Sequence, residues 1–426
     1  MKVLIVGSGG REHVIAWKVA QNPTVTKIYC APGNAGIAGV AECVPIKAME
    51  FNKLAEFAEE QQIDLTIVGM DDPLVGGIVD VFEQRGLRVF GPRKNAAILE
   101  GSKAFSKDLM KKYGIPTAAY ETFDDPDKAI AYLENARFPI VLKADGLALG
   151  KGVLICEDLE QAKDGVREIM MDKKFGSAGN QMVIEEFLTG REVSVLSFVD
   201  GKTIKTMASA QDHKRAKDGD EGLNTGGMGN FSPTPYYTKE VEEFCEKYVF
   251  QPTVDAMAAE GRPFKGVIFF GLILTEDGPK VLEYNARFGD PEAQVVLPRM
   301  ENDLIEVVEA CIDGTLDKVD LKFMDDACVC VVLASDGYPL AYDKGLPIRG
   351  LERFEGKDRY FVFHAGTAFN DKGEIVTNGG RVLGITALGK DLKEARANAY
   401  EAVEWVNFDN KYYRHDIGKA IEEWQG

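Results

Sequence analysis

The sequence predicts a multidomain protein of mixed α/β and α+β class, with an N-terminal doubly wound parallel sheet and a small C-terminal α+β cap. Three observations predict it. Over residues 1–100 short apolar runs alternate with helical segments, and the runs end in glycine-rich turns. In the middle of the chain, β-branched runs pair across turns; at the end, short strands bounded by turns precede one helix. The length of 426 residues suits about three domains, each able to bury its own core.

Composition narrows the function. A hydrophobic content of 45% and a charged content of 28% describe a globular chain. The net charge of −18 argues against a nucleic-acid partner, which would want a basic face. A small anionic substrate remains compatible, because a few lysines and arginines can build a local positive pocket. The opening Met1–Gly7 reads as a first strand rather than a signal peptide, and no apolar run approaches ~18 residues, so no membrane partner is expected. Seven cysteines without a Cys-x-x-Cys, with Cys328 and Cys330 in an apolar run, point to buried reduced thiols in a cytoplasmic protein. Four histidines without zinc spacing make a zinc site improbable.

In the first hundred residues, Lys2–Val6, Lys27–Cys30, Asp64–Val68 and Arg88–Phe90 read as strands. Helices on both faces of such a sheet leave ligands beyond the carboxyl ends of the strands. A dinucleotide site is disfavoured. Glu12 stands where that fingerprint needs its third glycine, and Ala31-Pro32-Gly33 stands where it needs an acid. The amides of Gly9 and Gly10, opening a helix that runs through Trp17, could seat a single phosphate; the alternative is a tight turn without a ligand.

Ser102 is the expected cap of a helix running to Lys112 and stopping at Tyr113–Pro116, and Asp125–Ala136 is a short helix-rich segment. Phe138–Cys156 reads as strand, glycine-rich loop, strand. It is not a P-loop: three residues separate Gly146 from Gly150, and Lys151 precedes glycine. Its amides and Lys151 can still face phosphate charge, and Lys143, sharing a strand face with Val141, can reach under the loop. The alternative is a plain surface hairpin. A helix is expected near Leu159–Met171. Next, Met182–Val199 forms two strands meeting at a hinge whose backbone can pair with an adenine edge, with Glu192 placed to accept from ribose hydroxyls. Taken alone, Glu185, Glu186 and Glu192 would be solvated charges. Gln211–Ser232 is expected to be a long irregular loop, with Lys214, Arg215 and Lys217 favouring an anion-binding role.

The hairpin Val267–Leu274, turn Glu276–Pro279 and strand from Lys280 carry the sharpest chemical pattern. Alternation puts Glu283, Asn285 and Arg287 on one face and Tyr284 on the other. A carboxylate and an amide oxygen two residues apart suit a hard cation such as Mg2+, which takes few protein ligands. Arg287 can grip phosphate or carboxylate. A solvated polar face is the alternative. Pro291–Asp313 is expected to be helical, and a new unit begins near Asp326 with strands at Ala327–Leu333, Tyr360–Gly366 and Gly380–Thr386 and a helix over Asp391–Trp405.

Taken in order, Lys103, Lys143, the loop Asp145–Gly152, the hinge Glu185–Leu188, Asn224–Gly229 and the run Glu283–Glu292 resemble the ATP-grasp ligases. More narrowly, the chain is similar to the glycinamide ribonucleotide synthetase family along essentially its whole length. Gly9–His13, Ala31–Gly36, Gln211–Arg215, His364–Thr367 and Thr377–Arg381 carry that likeness. One departure is visible: Met70-Asp71-Asp72-Pro73 stands where the family shows Pro-Glu-x-Pro.

The resemblance implies an N-terminal substrate-binding domain over 1–104, a central ATP-grasp fold over 105–325 with a hairpin-loop lid at about 123–188, and a cap over 326–426. It implies ATP-dependent joining of glycine to 5-phosphoribosylamine in purine synthesis by a monomer. Another ATP-grasp ligase acting on a related ribonucleotide is the alternative. Catalysis would fall to Arg287 and Lys143, and Mg2+ or Mn2+ would sit on Glu283 and Asn285. ATP would meet Lys103, Lys143, Gly146, Gly150, Lys151, Gly152, Glu185, Glu186, Phe187, Leu188 and Glu192. The other substrates would meet Gly10, Arg11, Glu12, Gly33, Asn34, Asp71, Asp212, Lys214, Thr225, Gly226, Gly227, Met228, Asp290 and Glu292.

Overall fold

The apolar run at the start of the chain forms β1 (Lys2–Gly7), and Val3, Leu4, Ile5 and Val6 are fully buried, as expected for a strand covered on both faces. The computed structural model describes residues 1–148 and 150–422, so Leu149 of the expected lid loop lies outside the described residues. β2 (Lys27–Pro32), β3 (Glu42–Cys43), β4 (Leu65–Val68) and β5 (Val89–Phe90) join β1 in a parallel sheet of order β3-β2-β1-β4-β5. The chain leaves β1 at Gly7, whose φ is +139° and whose missing Cβ would lie 2.2 Å from the Glu12 carboxylate. Only glycine fits that turn, and the helix Gly10–Val19 starts directly after it.

A second sheet is antiparallel. It comprises β6 (Tyr120–Phe123), β7 (Ile140–Ala144), β8 (Val153–Cys156) and β9 (Met182–Glu186), in the order β6-β9-β7-β8. Leu142, Ile184, Val166 and Ile169 give it a core of its own. The helix beneath it runs Leu159–Val166 and continues as a π turn over Arg167–Met171.

The hinge after β9 leads into a different sheet, beginning with β10 (Arg191–Asp200) and β11 (Ile204–Thr206). The expected irregular loop over Gln211–Ser232 is a correction. It folds into β12 (Gln211–Asp212), β13 (Arg215–Lys217), β14 (Glu221–Asn224) and β15 (Gly229–Ser232). β13 and β14 form a hairpin, while β12 and β15 pair and join the C-terminal sheet. Strands of two to four residues are too short to show a period, and the partner of β15 lies about a hundred residues away in sequence, so no local pattern reveals it.

β16 (Lys265–Thr275) and β17 (Gly278–Asn285) complete the sheet β11-β10-β16-β17. The register shifts between Gly271 and Leu272, which pair with Glu283 and Val281. Such an irregularity on an edge strand re-aims the side chains beside it. Tyr284 points away from Glu283 as alternation requires, buried with its hydroxyl 2.8 Å from Thr253 Oγ1. The expected continuous helix from Pro291 is broken. A turn of helix at Ala293–Val296 tightens into a 3₁₀ turn at Leu297–Arg299, and helix resumes at Leu304–Asp313. Pro298 has no amide to continue the ladder, and Asp303 restarts it as a cap, accepting from Ile305 N at 2.8 Å.

The C-terminal unit holds β18 (Ala327–Ser335), β19 (Tyr360–His364), a small hairpin of β20 (Thr367–Phe369) and β21 (Ile375–Thr377), β22 (Arg381–Gly389) and β23 (Lys411–Tyr412). Its main sheet runs β12-β15-β18-β22-β19, so strands from residues 211–232 complete it. The helix Leu392–Val403 lays Ala395, Ala399, Ala402 and Val403 onto that sheet. Among the described residues, no helix is long and apolar enough to cross a membrane.

Candidate active site

The sheets enclose a cavity of about 850 Å³, lined by the turn between β7 and β8, the hinge after β9, β17 and the segment beyond it, and residues 211–226. The helix Lys103–Tyr113 opens one wall. Ser102 caps it, accepting from Phe105 N at 3.1 Å, and its hydroxyl donates to Asp145 Oδ1 at 3.0 Å. Ala104 N donates to the same Asp145 oxygen at 2.8 Å, and Lys103 Nζ donates to Gly146 O at 3.1 Å. The helix start is thereby tied to the base of the glycine-rich loop.

Beneath that loop, the buried Glu185 carboxylate bridges Lys107 and Lys143. Burial opposes its ionisation, but the two ammonium groups outweigh burial and hold its pKa below the ordinary carboxylate range. Lys107 also donates to Thr117 Oγ1 at 2.7 Å, and Lys143 to Leu282 O at 3.2 Å. Glu185 was expected as a hinge charge; its side chain is an internal counter-ion. The Glu186 carboxylate is likewise engaged, accepting from Ala119 N at 3.0 Å. Phe187, Leu188 and Glu192 line the cavity beside them.

Glu283 faces a ring of cations. Lys214 stands 3.5 Å from its Oε1, and although burial works against the charge, Lys214, Lys143, Lys103 and Arg287 hold its pKa at about 2. Asn285 Nδ2 donates to Glu100 Oε1 at 2.9 Å, which leaves Oδ1 as the amide's free end. Among the described residues, no three His, Cys, Asp or Glu form a metal cluster. One carboxylate and one amide oxygen are the sparse donor set of an ion that fills its shell with phosphate and water. The residues fit such a cation. Arg287 lies 3.2 Å from Glu100 and 3.9 Å from Asp71, and its buried Nε has no hydrogen-bond partner among the described residues.

Acids gather on the far wall. Asp290 is committed to structure: it accepts from Arg11 N at 3.3 Å and Gln294 Nε2 at 2.8 Å and lies 3.7 Å from Arg381. A carboxylate thus sits at the helix N-terminus offered above as a phosphate seat. Asp212 and Glu292 also line the cavity. Burial pushes both upward, and the charge of Glu292 pushes Asp212 further, so this pair favours a cationic neighbour. Thr225 Oγ1 donates to Lys214 O at 2.9 Å and accepts from Gly227 N at 3.0 Å, fixing the turn that brings Gly226 to the cavity.

The cavity thus gathers Arg11, Asp71, Lys103, Lys143, Gly150, Gly152, Glu185, Glu186, Phe187, Leu188, Glu192, Asp212, Lys214, Thr225, Gly226, Glu283, Asn285, Arg287, Asp290 and Glu292. Gly10, Glu12, Gly33, Asn34, Gly146, Lys151, Gly227 and Met228 do not line it. Glu12 is wholly buried against Gly7 and Gly69, and Met228 lies in the C-terminal core. Asn34 uses its amide locally: Nδ2 donates to Ser8 O and His364 O, and Oδ1 accepts from Gly36 N and Ile37 N. Gly10 packs on Gln294, and a Cβ on Gly33 would meet Cys43 Sγ at 2.5 Å. Sequence reasoning missed Glu100, Lys107 and Arg381. Arg381 Nη1 donates to Gly226 O and Asp290 O, each at 2.9 Å, bringing the C-terminal unit to the site. Its only sequence signal was the Thr377–Arg381 motif.

A hairpin lid facing a second antiparallel sheet, with lysines, an acid and an amide between them, defines an ATP-grasp ligase, which uses ATP and a divalent metal. Family models agree: residues 1–100 match the phosphoribosylglycinamide synthetase N domain, 101–293 its ATP-grasp (A) domain and 328–420 its C domain. The chain belongs to the phosphoribosylglycinamide synthetase family. It is 51% identical over 418 residues to the phosphoribosylamine–glycine ligase of Caldanaerobacter subterraneus subsp. tengcongensis, covering 98% of this chain and 99% of the relative. It is 49% identical over 423 residues to that of Brucella melitensis biotype 1, covering 99% of each. The crystal structure of the Thermotoga maritima phosphoribosylamine–glycine ligase superposes with a TM-score of 0.84 at 35% identity, over 98% of this chain and 100% of that one. The biotin carboxylase domain of the Hydrogenobacter thermophilus 2-oxoglutarate carboxylase shares the fold at 16% identity, with a TM-score of 0.74 over 97% and 91% of the two chains.

Proposed function

We propose that the chain joins glycine to 5-phosphoribosylamine in an ATP-driven reaction, through a glycyl phosphate, giving glycinamide ribonucleotide, ADP and phosphate in de novo purine synthesis. The observation that carries this reading is Glu283 and Asn285 side by side at the end of β17, faced by Lys214, Lys143, Lys103 and Arg287 in one cavity.

Glycine's carboxylate is a poor electrophile, and two anions must meet before it can be activated. Mg2+ or Mn2+ held by Glu283 and Asn285 would supply charge neutralisation between the ATP phosphates. Lys143 and Lys103 stand under the lid loop, where phosphoryl charge develops, and Arg287 and Lys214 face the carboxylate oxygen that attacks. Asp212 and Glu292 receive glycine's ammonium group, since their environment favours a cation; Asp290, held by Arg11, Arg381 and Gln294, keeps that wall in place. Arg11, Asp71 and Thr225–Gly226 hold the phosphoribosylamine. The glycine carboxylate oxygen bonds to the γ-phosphorus as ADP leaves; the sugar amine then attacks the acyl carbon, the bond from carbon to the phosphate oxygen breaks, phosphate departs with that oxygen, and the nitrogen loses a proton. Closure of the loop 145–152 keeps water from the acyl phosphate.

A cytoplasmic monomer fits this reading. The seven cysteines are all free thiols, six of them buried, as suits a reducing compartment. The test is ADP formation with phosphoribosylamine, with and without glycine, in wild type and Glu283→Ala. Turnover should require glycine and be lost in the variant; glycine-independent ADP release would overturn the substrate assignment.

A further inference from the structure

An asparagine amide is two-faced. Only Oδ1 can bind a cation, and a half-turn about the last side-chain bond replaces it with an NH2 group that repels one. Something must therefore set the orientation of Asn285, and the surroundings of β17 supply one candidate. Glu100 lies near the end of the helix Lys94–Gly101, far from β17 in sequence, and is 6% exposed. Its Oε1 accepts from Asn285 Nδ2 at 2.9 Å and its Oε2 from Ala286 N at 2.8 Å. Arg287 Nη2 lies 3.2 Å from Oε1. One carboxylate thus engages three consecutive residues, one through its amide, one through its backbone and one through its guanidinium.

We propose that Glu100 is a positioning residue that turns the Asn285 amide so that its oxygen faces the cation, and holds Arg287 beside it. Glu100 Oε2 accepts from Ala286 N and Oε1 faces the Arg287 guanidinium, so both carboxylate oxygens act as acceptors and the group Oε1 meets on Asn285 is the NH2. The support is itself anchored. Gly101, the next residue, packs so closely on Val75 that a Cβ would lie 3.0 Å from Cγ1. Ser102 follows as the cap that grips Asp145 at the base of the lid loop. The orientation of the cation-facing amide and the anchoring of the lid therefore depend on neighbouring residues of one turn.

This inference rests on the cation reading of Glu283 and Asn285, and the test separates the two. Mn2+ binding to the full-length chain is measured by electron paramagnetic resonance with saturating ADP, and folding by circular dichroism. In Glu100→Gln, the side-chain oxygen is retained by Ala286 N, and the new NH2 meets Asn285, whose amide must turn over. Mn2+ affinity should fall by about 10- to 100-fold, the usual effect of removing a group that orients a metal ligand. Adding Asn285→Asp to that variant restores an acceptor toward both the introduced amide and the cation, and affinity should return to within several-fold of wild type. Asn285→Asp alone sets two carboxylates against each other and should bind Mn2+ more weakly than the double variant. A merely structural Glu100 predicts no such rescue. If Glu100→Gln folds and binds Mn2+ like wild type, the proposal is overturned. If it does not fold, a double variant that binds no better than Asn285→Asp overturns it equally. Failure of wild type to bind Mn2+ would instead sink the cation reading.

Discussion

Lys214 Nζ lies 3.5 Å from Glu283 Oε1, joining the segment after β12 to the end of β17 across the cavity. The same ammonium is 4.0 Å from Glu192 Oε2, so one half-exposed lysine spans the acid offered to the cation and the acid beside the hinge. Its place suits a charge that meets glycine's carboxylate as it enters. Lys214→Met should lower kcat/KM for glycine by about 100-fold, the scale of losing one preorganised charge once the lid closes over the site. Lys214→Arg should lie between the two. Steady-state kinetics check this, and an unchanged kcat/KM would remove Lys214 from the site.

The Glu185 carboxylate is the counter-ion of both Lys107 and Lys143. Glu185→Gln removes the carboxylate that bridges two buried ammonium groups, and breaking a buried pair from one side costs about 3–5 kcal/mol. Denaturant unfolding should show a loss on that scale. Glu186→Gln, at an exposed carboxylate, should fall well short of it.

Three of the four histidines are buried neutral. His13 Nδ1 accepts from His364 N at 2.7 Å, joining the N-terminal and C-terminal units, and His213 Nε2 accepts from Gly418 N at 3.2 Å. Burial, reinforced by His364, lowers His13 to about 3. Burial alone lowers His364 to about 4, and burial with the charge of Arg414 lowers His213 to about 4. The unfolded chain takes up these protons near pH 6.5, whereas the folded chain does not. Their contribution is therefore complete above about pH 6.5 and is lost as pH falls toward 4, on the order of 1.4 kcal/mol per pH unit for each histidine. Urea midpoints should drop between pH 7 and 5, and His13→Asn should make the drop shallower. A flat profile would contradict buried neutral imidazoles.

What the sequence disclosed follows from distance along the chain. Ser102 and the alternation of Glu283, Tyr284 and Asn285 are local patterns, and both appear where the residues placed them. The β7–β8 hairpin and the hinge after β9 were legible for the same reason. Glu100 was not, because 185 residues separate it from Asn285 and only the fold joins them. Arg381 reaches Gly226 across 155 residues, and β15 finds β18 across about a hundred. Glu185 read as a hinge charge because nothing nearby in sequence announces Lys107 and Lys143 as its partners. Asn34 and Met228 belong to motifs of the family resemblance, yet the fold commits one to loop hydrogen bonds and the other to core packing.

In the proposed mechanism glycine's carboxylate, and not water or the sugar amine, takes the phosphoryl group in the cavity between lid and β17. Running the reaction with glycine labelled with 18O in its carboxylate and analysing the released phosphate by mass spectrometry tests it directly. One 18O atom should pass to phosphate per glycinamide ribonucleotide formed; unlabelled phosphate accompanying full product formation would contradict that mechanism.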